Sequence, residues 1–179
     1  MIQNAQAFRE FSNPVNCIEL GCGSFPLVGL VCSDVLKAKS LVITDYNEEC
    51  LLLAKQNTDD CKKKNPQRFD INVLSQVLDW SAISNCPKAD FIIGSACVYE
   101  EAHARILPGA MRRCAADTGA KALIAIHDGH SGFDSFLDEC QQQDFIMVKH
   151  IGPIEVIENS RSSNVHFFFY QINAAVVQL

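Results

Sequence analysis

The chain predicts an α/β fold: a doubly wound, mainly parallel seven-stranded sheet whose last strand runs antiparallel. Three observations predict it. Short apolar runs alternate with longer stretches of helical periodicity, as strand–helix–strand units require. The fourth run, ADFIIG at 89–94, is almost wholly apolar, as a strand covered on both faces should be. The last two runs adjoin without a helical pattern between them, so they should pair antiparallel.

Residues 15–20 (VNCIEL) make the first strand, which ends at Gly21. From Leu27 the positions Leu27, Leu30, Val31 and Val35 follow helical spacing. Residues 40–44 (SLVIT) form the second strand, ending at Asp45. Asn47 is placed to cap the next helix, with Glu48 and Glu49 favourable in its first turn. That helix carries Leu51, Leu52 and Ala54 and fades into Lys62-Lys63-Lys64. The third strand falls at 70–77, with room for a short helix before the fourth at 89–94. Pro108 suits the first turn of a helix running to about Asp117, with Gly119 as its stop. Residues 121–126 (KALIAI) make the fifth strand. Ser131 then caps a helix whose Phe133, Phe136, Leu137 and Cys140 form one stripe. Strands at 145–151 and 165–172 follow, joined by a longer loop that holds Gly152 and Pro153.

At 179 residues, with 48% hydrophobic and 20% charged, the chain reads as one globular domain, 1–179. It shows no linker composition and no internal repeat. No apolar run has bilayer length, and MIQNAQAFREFSNPVN lacks the basic start and apolar stretch of a signal peptide, so no membrane partner is expected. The nine cysteines are an odd count with no C-x-x-C pair, and several (Cys17, Cys32, Cys97, Cys140) sit in apolar segments. Free, buried thiols in a reducing compartment follow, hence a cytoplasmic place, the nucleus also being open. A net charge of −6 argues against binding nucleic acid through its phosphates. The lysine run is a solvated helix end, and an acidic surface suits a basic protein partner.

The chemistry concentrates where strands end. After the first strand comes Glu19-Leu20-Gly21-Cys22-Gly23-Ser24-Phe25-Pro26, whose two glycines let the backbone turn tightly beside a ligand. Phe25-Pro26 replaces the third glycine of the dinucleotide fingerprint, which argues against pyrophosphate at a helix N-terminus. Asp45, after the second strand, either accepts from two ribose hydroxyls or caps the next helix. After the third strand, Asp79 either accepts from an exocyclic adenine amine or is a solvated neighbour. Trp80, the only tryptophan, either lies along that ring or fills core.

On these residues the chain resembles the class I, seven-β-strand methyltransferases, and within them the methyltransferase-like branch that modifies protein lysines. The stretches CIELGCGSFPLVGL, LVITDYNEECLLLAKQN, VLDW and ADFIIGSACVYE carry the likeness, which runs from about Val15 to the C-terminus. The resemblance implies a Rossmann-like methyltransferase fold, S-adenosylmethionine (SAM) as cofactor and a protein as substrate. It implies that Glu19, Gly21 and Gly23 hold the methionine portion and Asp45 the ribose. Asp79 and Trp80 would contact the adenine, Ser95 would begin the segment nearest the methyl, and Tyr99 would orient the acceptor. Two features depart from the branch. Its D-x-x-Y reads Ala96-Cys97-Val98-Tyr99 here, so the tyrosine is kept without the acid. Only about fourteen residues precede the first strand, without the branch's tryptophan segment. A carboxylate beside the tyrosine would bind the ammonium and aim the amine, and Glu100 or Glu101 stand one helical turn away as substitutes.

Thr44-Asp45-Tyr46 also looks like the corresponding stretch of the nicotinamide and phenylethanolamine N-methyltransferases, which keeps a small amine open as acceptor. A non-catalytic domain of the same fold is the third reading, motivated by the missing acid. His127-Asp128-Gly129-His130 reads first as a helix-capping loop, and as a base or metal site second, because a third ligand is not evident. Cys97 lacks a basic neighbour in sequence to lower its pKa. The run Phe167-Phe168-Phe169-Tyr170 is strand core.

Overall fold

A computed structural model describes residues 15–82, 85–116, 119–158 and 161–173. In chain order the elements are β1 (Asn16–Leu20), α1 (Leu27–Leu36), β2 (Ser40–Asp45), α2 (Glu48–Lys64), β3 (Asn72–Val77) and β4 (Phe91–Ser95). There follow α3 (Glu101–Cys114), β5 (Ala120–His127), α4 (Phe133–Gln142), β6 (Ile146–Glu158) and β7 (Arg161–Ile172). The seven strands form one sheet in the order β3-β2-β1-β4-β5-β7-β6. β1 to β5 pair in parallel, and β7 lies antiparallel between β5 and β6.

This order places the site. The chain winds outward from β1 to β3 on one side and from β4 onward on the other, so the winding reverses between β1 and β4. Above that switch point the carboxyl ends of adjacent strands diverge and leave a crevice. Alternation within each strand sorts the core into two layers. Ile18, Leu20 and Ile92 pack with Leu107 and Met111 of α3 and Phe136 of α4, while Phe91 and Ile93 join Leu30 and Leu36 of α1 and Leu51 of α2.

The Asn47 cap is formed: its side chain accepts from the N–H groups of Glu49 (2.9 Å) and Cys50 (3.2 Å). Lys62, Lys63 and Lys64 make the last turn of α2, where cations suit the helix dipole. Four expectations are corrected. Pro108 does not open α3 but lies inside it, the helix starting at Glu101. A proline interior to a helix costs roughly 3 kcal/mol. Burial of Ala104, Leu107, Met111 and Cys114 on one face offsets it, at about 1.5–3 kcal/mol for each large side chain. Between β3 and β4 the described residues hold no helix. Residues 152 and 153 are not a loop: β6 runs through them as an edge strand, where a proline's missing N–H breaks no second ladder, and the register shifts there. The helix cap expected at Ser131 falls on Gly132, whose absent Cβ would sit 2.6 Å from the carbonyl oxygen of Glu100. Among the described residues no helix is long and apolar enough to cross a membrane.

Candidate active site

The turn after β1 is held from below. Gly21 and Gly23 both take positive φ, +67° and +59°, which side chains rarely adopt. Cys22 donates its N–H to the carbonyl of Thr44 at 2.9 Å, and the Thr44 hydroxyl donates to the carbonyl of Glu19 at 2.7 Å, tying the turn to β2. At Gly21 an added Cβ would stand 3.1 Å from Cβ of Cys97 and 3.2 Å from the ring of Trp80, so two other loops close on it. At Gly23 an added Cβ would meet nothing within 4 Å: that glycine faces open space.

Asp45 is buried, and it does not cap α2, which Asn47 does. Its carboxylate accepts from the N–H of Gly23 (2.9 Å) and the N–H of Asn47 (3.0 Å), so one acid fixes the turn and the start of α2 together. Two of its roughly four lone-pair positions are thereby used. Asp79 is exposed and accepts from both the N–H (2.8 Å) and hydroxyl (2.7 Å) of Ser81. The Ser81 hydroxyl, then its N–H, hold the Asp79 carboxyl below its ordinary value. Trp80 lies half-buried, edge-on to His103 at 6.5 Å.

These groups surround one cavity of about 400 Å³, lined by Gly21, Gly23 and Asp45, by Asp79 and Trp80, and by Tyr99 with its neighbours Ala96 and Cys97. Tyr46, Leu78, His103 and Ile106 complete the wall. Two residues named from the sequence do not line it. Glu19 turns to the opposite face of β1, as alternation with Ile18 and Leu20 demands, and packs under Gly29 of α1. Its Oε2 is buried without a partner, and desolvation pushes its carboxyl up to about 8, offset in part by the Gly29 N–H. Ser95 is half-buried at the end of β4, and the lining begins one residue later at Ala96, whose φ is +48°.

Tyr99 is 51% exposed at the rim. His103 and His130 meet its ring edge-on at 6.4 and 5.1 Å, and His127 meets His130 at 5.6 Å. The H-D-G-H loop thus braces the tyrosine, while Asp128 accepts from the Asn164 side chain at 3.1 Å. Among the described residues no group of three His, Cys, Asp or Glu is spaced for a metal. Neither Glu100 nor Glu101 lines the cavity. Glu101 accepts from the Ser135 hydroxyl (3.4 Å) and lies 3.8 Å from Arg105. Burial pushes the Cys97 thiol up to about 12, so it serves as apolar wall. His103 escaped the sequence reading because α3 was placed to begin at Pro108; the buried set Ala104, Leu107 and Met111 is the periodic signal that locates the true start.

Residues 2–143 match the profile of a family described as lysine methyltransferase. The chain belongs to that family. Solved structures similar to it share the fold at low identity. The N-methyltransferase NodS from Bradyrhizobium japonicum WM9, in complex with S-adenosyl-L-homocysteine (SAH), is 14% identical with a TM-score of 0.61, over 94% of this chain and 83% of that one. The tRNA methyltransferase TrmK from B. subtilis is 12% identical with a TM-score of 0.62, over 96% and 66%. A ribosomal protein L11 methylase from Lactobacillus delbrueckii subsp. bulgaricus is 15% identical with a TM-score of 0.58, over 94% and 77%. This family member is a class I, SAM-dependent methyltransferase. Its cavity fits the cofactor: Gly23 opens onto free space, Asp45 keeps acceptor capacity beyond its two internal bonds, and Leu78, Trp80, Cys97 and Ile106 give an apolar lining.

Proposed function

We propose that this methyltransferase N-methylates lysine side chains of a protein, in the cytoplasm, with Tyr99 orienting the acceptor. Tyr99 carries the reading: a tyrosine half out of the cavity, its ring fixed by two histidines, where an incoming side chain must pass. The family's description as lysine methyltransferase supports it. Nine free cysteines support a reducing compartment.

Bound SAM supplies a methyl already activated on a sulfonium, which leaves alignment and electrostatics to the protein. In this reading Asp45 accepts from the ribose, Asp79 and Trp80 border the adenine, and the Gly21–Gly23 turn lets the backbone lie against the methionine portion. Glu19 and Ser95 act from behind the wall, the first by setting the turn against α1. A lysine amine attacks only when neutral, against an ordinary pKa of about 10.4. The Tyr99 hydroxyl accepts one amine N–H and so aims the nitrogen lone pair as the proton leaves.

The test is incubation with methyl-labelled SAM and either a protein lysate or a metabolite pool. Label in precipitated protein, released by hydrolysis as methyllysine, supports the reading. Label confined to small molecules contradicts it.

A further inference from the structure

Two cysteines outside the cavity lining meet from different elements. Cys86 lies on the connection between β3 and β4, half-buried against the core around α3, and Cys114 is the fully buried last residue of α3. Their side chains share a hydrogen bond, and both are free thiols. The backbone holds the two segments side by side. Ala89 donates its N–H to the carbonyl of Cys114 at 2.8 Å, and Ala116 donates to the carbonyl of Ala89 at 2.9 Å. Nζ of Lys88 donates to the carbonyl of Ala115 at 3.0 Å.

The two sulfurs are suited to different parts. Burial, and then the neighbouring Cys86, push the Cys114 thiol up, while the charges of Arg113 and Lys88 act against that. Cys114 is therefore kept as a thiol, and Cys86 is the sulfur that an oxidant meets from solvent. A partly exposed thiol beside cations, with a second thiol in contact to resolve it, is the arrangement of a redox-sensitive pair. We infer that Cys86 and Cys114 are a peroxide-responsive pair, which closes to a disulfide and clamps the β3–β4 connection to the end of α3. In the first step peroxide transfers one oxygen to the Cys86 sulfur, giving a sulfenic acid and one water. The Cys114 sulfur then attacks that of Cys86. The S–S bond forms as the S–O bond breaks, and the hydroxyl leaves with the thiol proton as a second water. The two sulfurs together lose two electrons, which the peroxide gains. In a reducing compartment, thiol exchange reopens the bond.

The clamp joins two elements that both reach the cavity. The connection starts at Asp79 and Trp80, and α3 carries His103 and Ile106. Arg113, next to Cys114, already donates to the carbonyl of Trp80 at 3.2 Å. The disulfide adds a covalent tie to that one.

The experiment exposes the reduced full chain to hydrogen peroxide, alkylates the remaining thiols and maps the peptides without reductant. A cross-linked pair of peptides holding Cys86 and Cys114, lighter by two hydrogens and separated by dithiothreitol, is the expected result. Cys86 recovered as sulfinic acid with Cys114 alkylated overturns the proposal. So does a cross-link between Cys22 and its neighbour Cys50 in place of this one. Closing the chain between residues 86 and 114 should also raise the melting midpoint by about 5 °C, reversibly with dithiothreitol. An unchanged midpoint in the cross-linked protein contradicts the clamp. Cys86→Ser, at a half-buried position, should abolish both the cross-link and the rise; a rise that persists in this variant contradicts the proposal.

Discussion

The two ends of the cavity are made differently. At the end that the proposed reading gives to the cofactor, backbone and one fixed side chain do the shaping: two positive-φ glycines, a carbonyl of β2 and the Asp45 carboxylate, already holding two N–H groups. Around Tyr99, where the proposed reading brings in the acceptor, side chains do it: a half-exposed tyrosine, a histidine on the first turn of α3 and a second histidine on the loop after β5. In the proposed reading, a ligand common to many enzymes is met by groups already tied to one another by hydrogen bonds. In the same reading the acceptor, which differs between enzymes, is met by groups that a single substitution replaces.

The largest expected effect tests how rigidly the cofactor end is built into the core. Glu19 lies beneath the turn with its carboxyl raised to about 8, chiefly by desolvation. The folded state therefore keeps a proton that the unfolded chain, with a carboxyl of ordinary pKa, releases. Stability is full below the unfolded value of 4.5, falls as pH rises, and levels off only above about 8. The span is on the order of 5 kcal/mol, and Glu19→Gln should flatten it. Melting midpoints from pH 5 to 9 for both proteins check this; parallel curves would mean that Glu19 is not the buried acid.

Next comes the acid shared by turn and helix. Asp45→Ala leaves the N–H groups of Gly23 and Asn47 without their partner and removes a charged acceptor from the lining. SAH affinity should fall about a hundredfold, near 3 kcal/mol, by calorimetry. Tyr99→Phe should touch only the other end: turnover down about tenfold in a labelled-SAM assay, with SAH affinity unchanged. A change in SAH affinity there would mean that the two ends are not separable. Smallest is Asn47→Ala, which removes the cap of α2 while Asp45 keeps its bond to the Asn47 N–H. Thermal unfolding should show a loss of about 1 kcal/mol, with SAH affinity within about twofold.

The same division explains what the sequence made legible. Strand ends are read from where apolar runs stop, so Gly21, Asp45, Asp79 and Trp80 were placed together from β1, β2 and β3 alone. The face of a strand residue follows from alternation: Glu19, between Ile18 and Leu20, points to the α1 face, a signal that its expected place with the glycine turn on the methionine portion passed over. The acceptor wall was harder, because it depends on where a helix begins. Pro108 imitates a first-turn residue, and only the buried stripe from Ala104 to Met111 outweighs it; with α3 started late, His103 had no place beside Tyr99. In β6, Gly152 and Pro153 imitate a loop, and the pairing of Ile154 with Val165 that carries the strand past them is a tertiary fact.

Trp80 offers the most direct measurement of whether this crevice is where the cofactor sits, being the only tryptophan and part of the lining. Titration with SAH should change its emission saturably, at one equivalent per chain, and Asp45→Ala should shift the curve to about hundredfold higher concentration. Emission that stays flat up to millimolar SAH, while calorimetry registers binding, would put the cofactor somewhere else on the molecule.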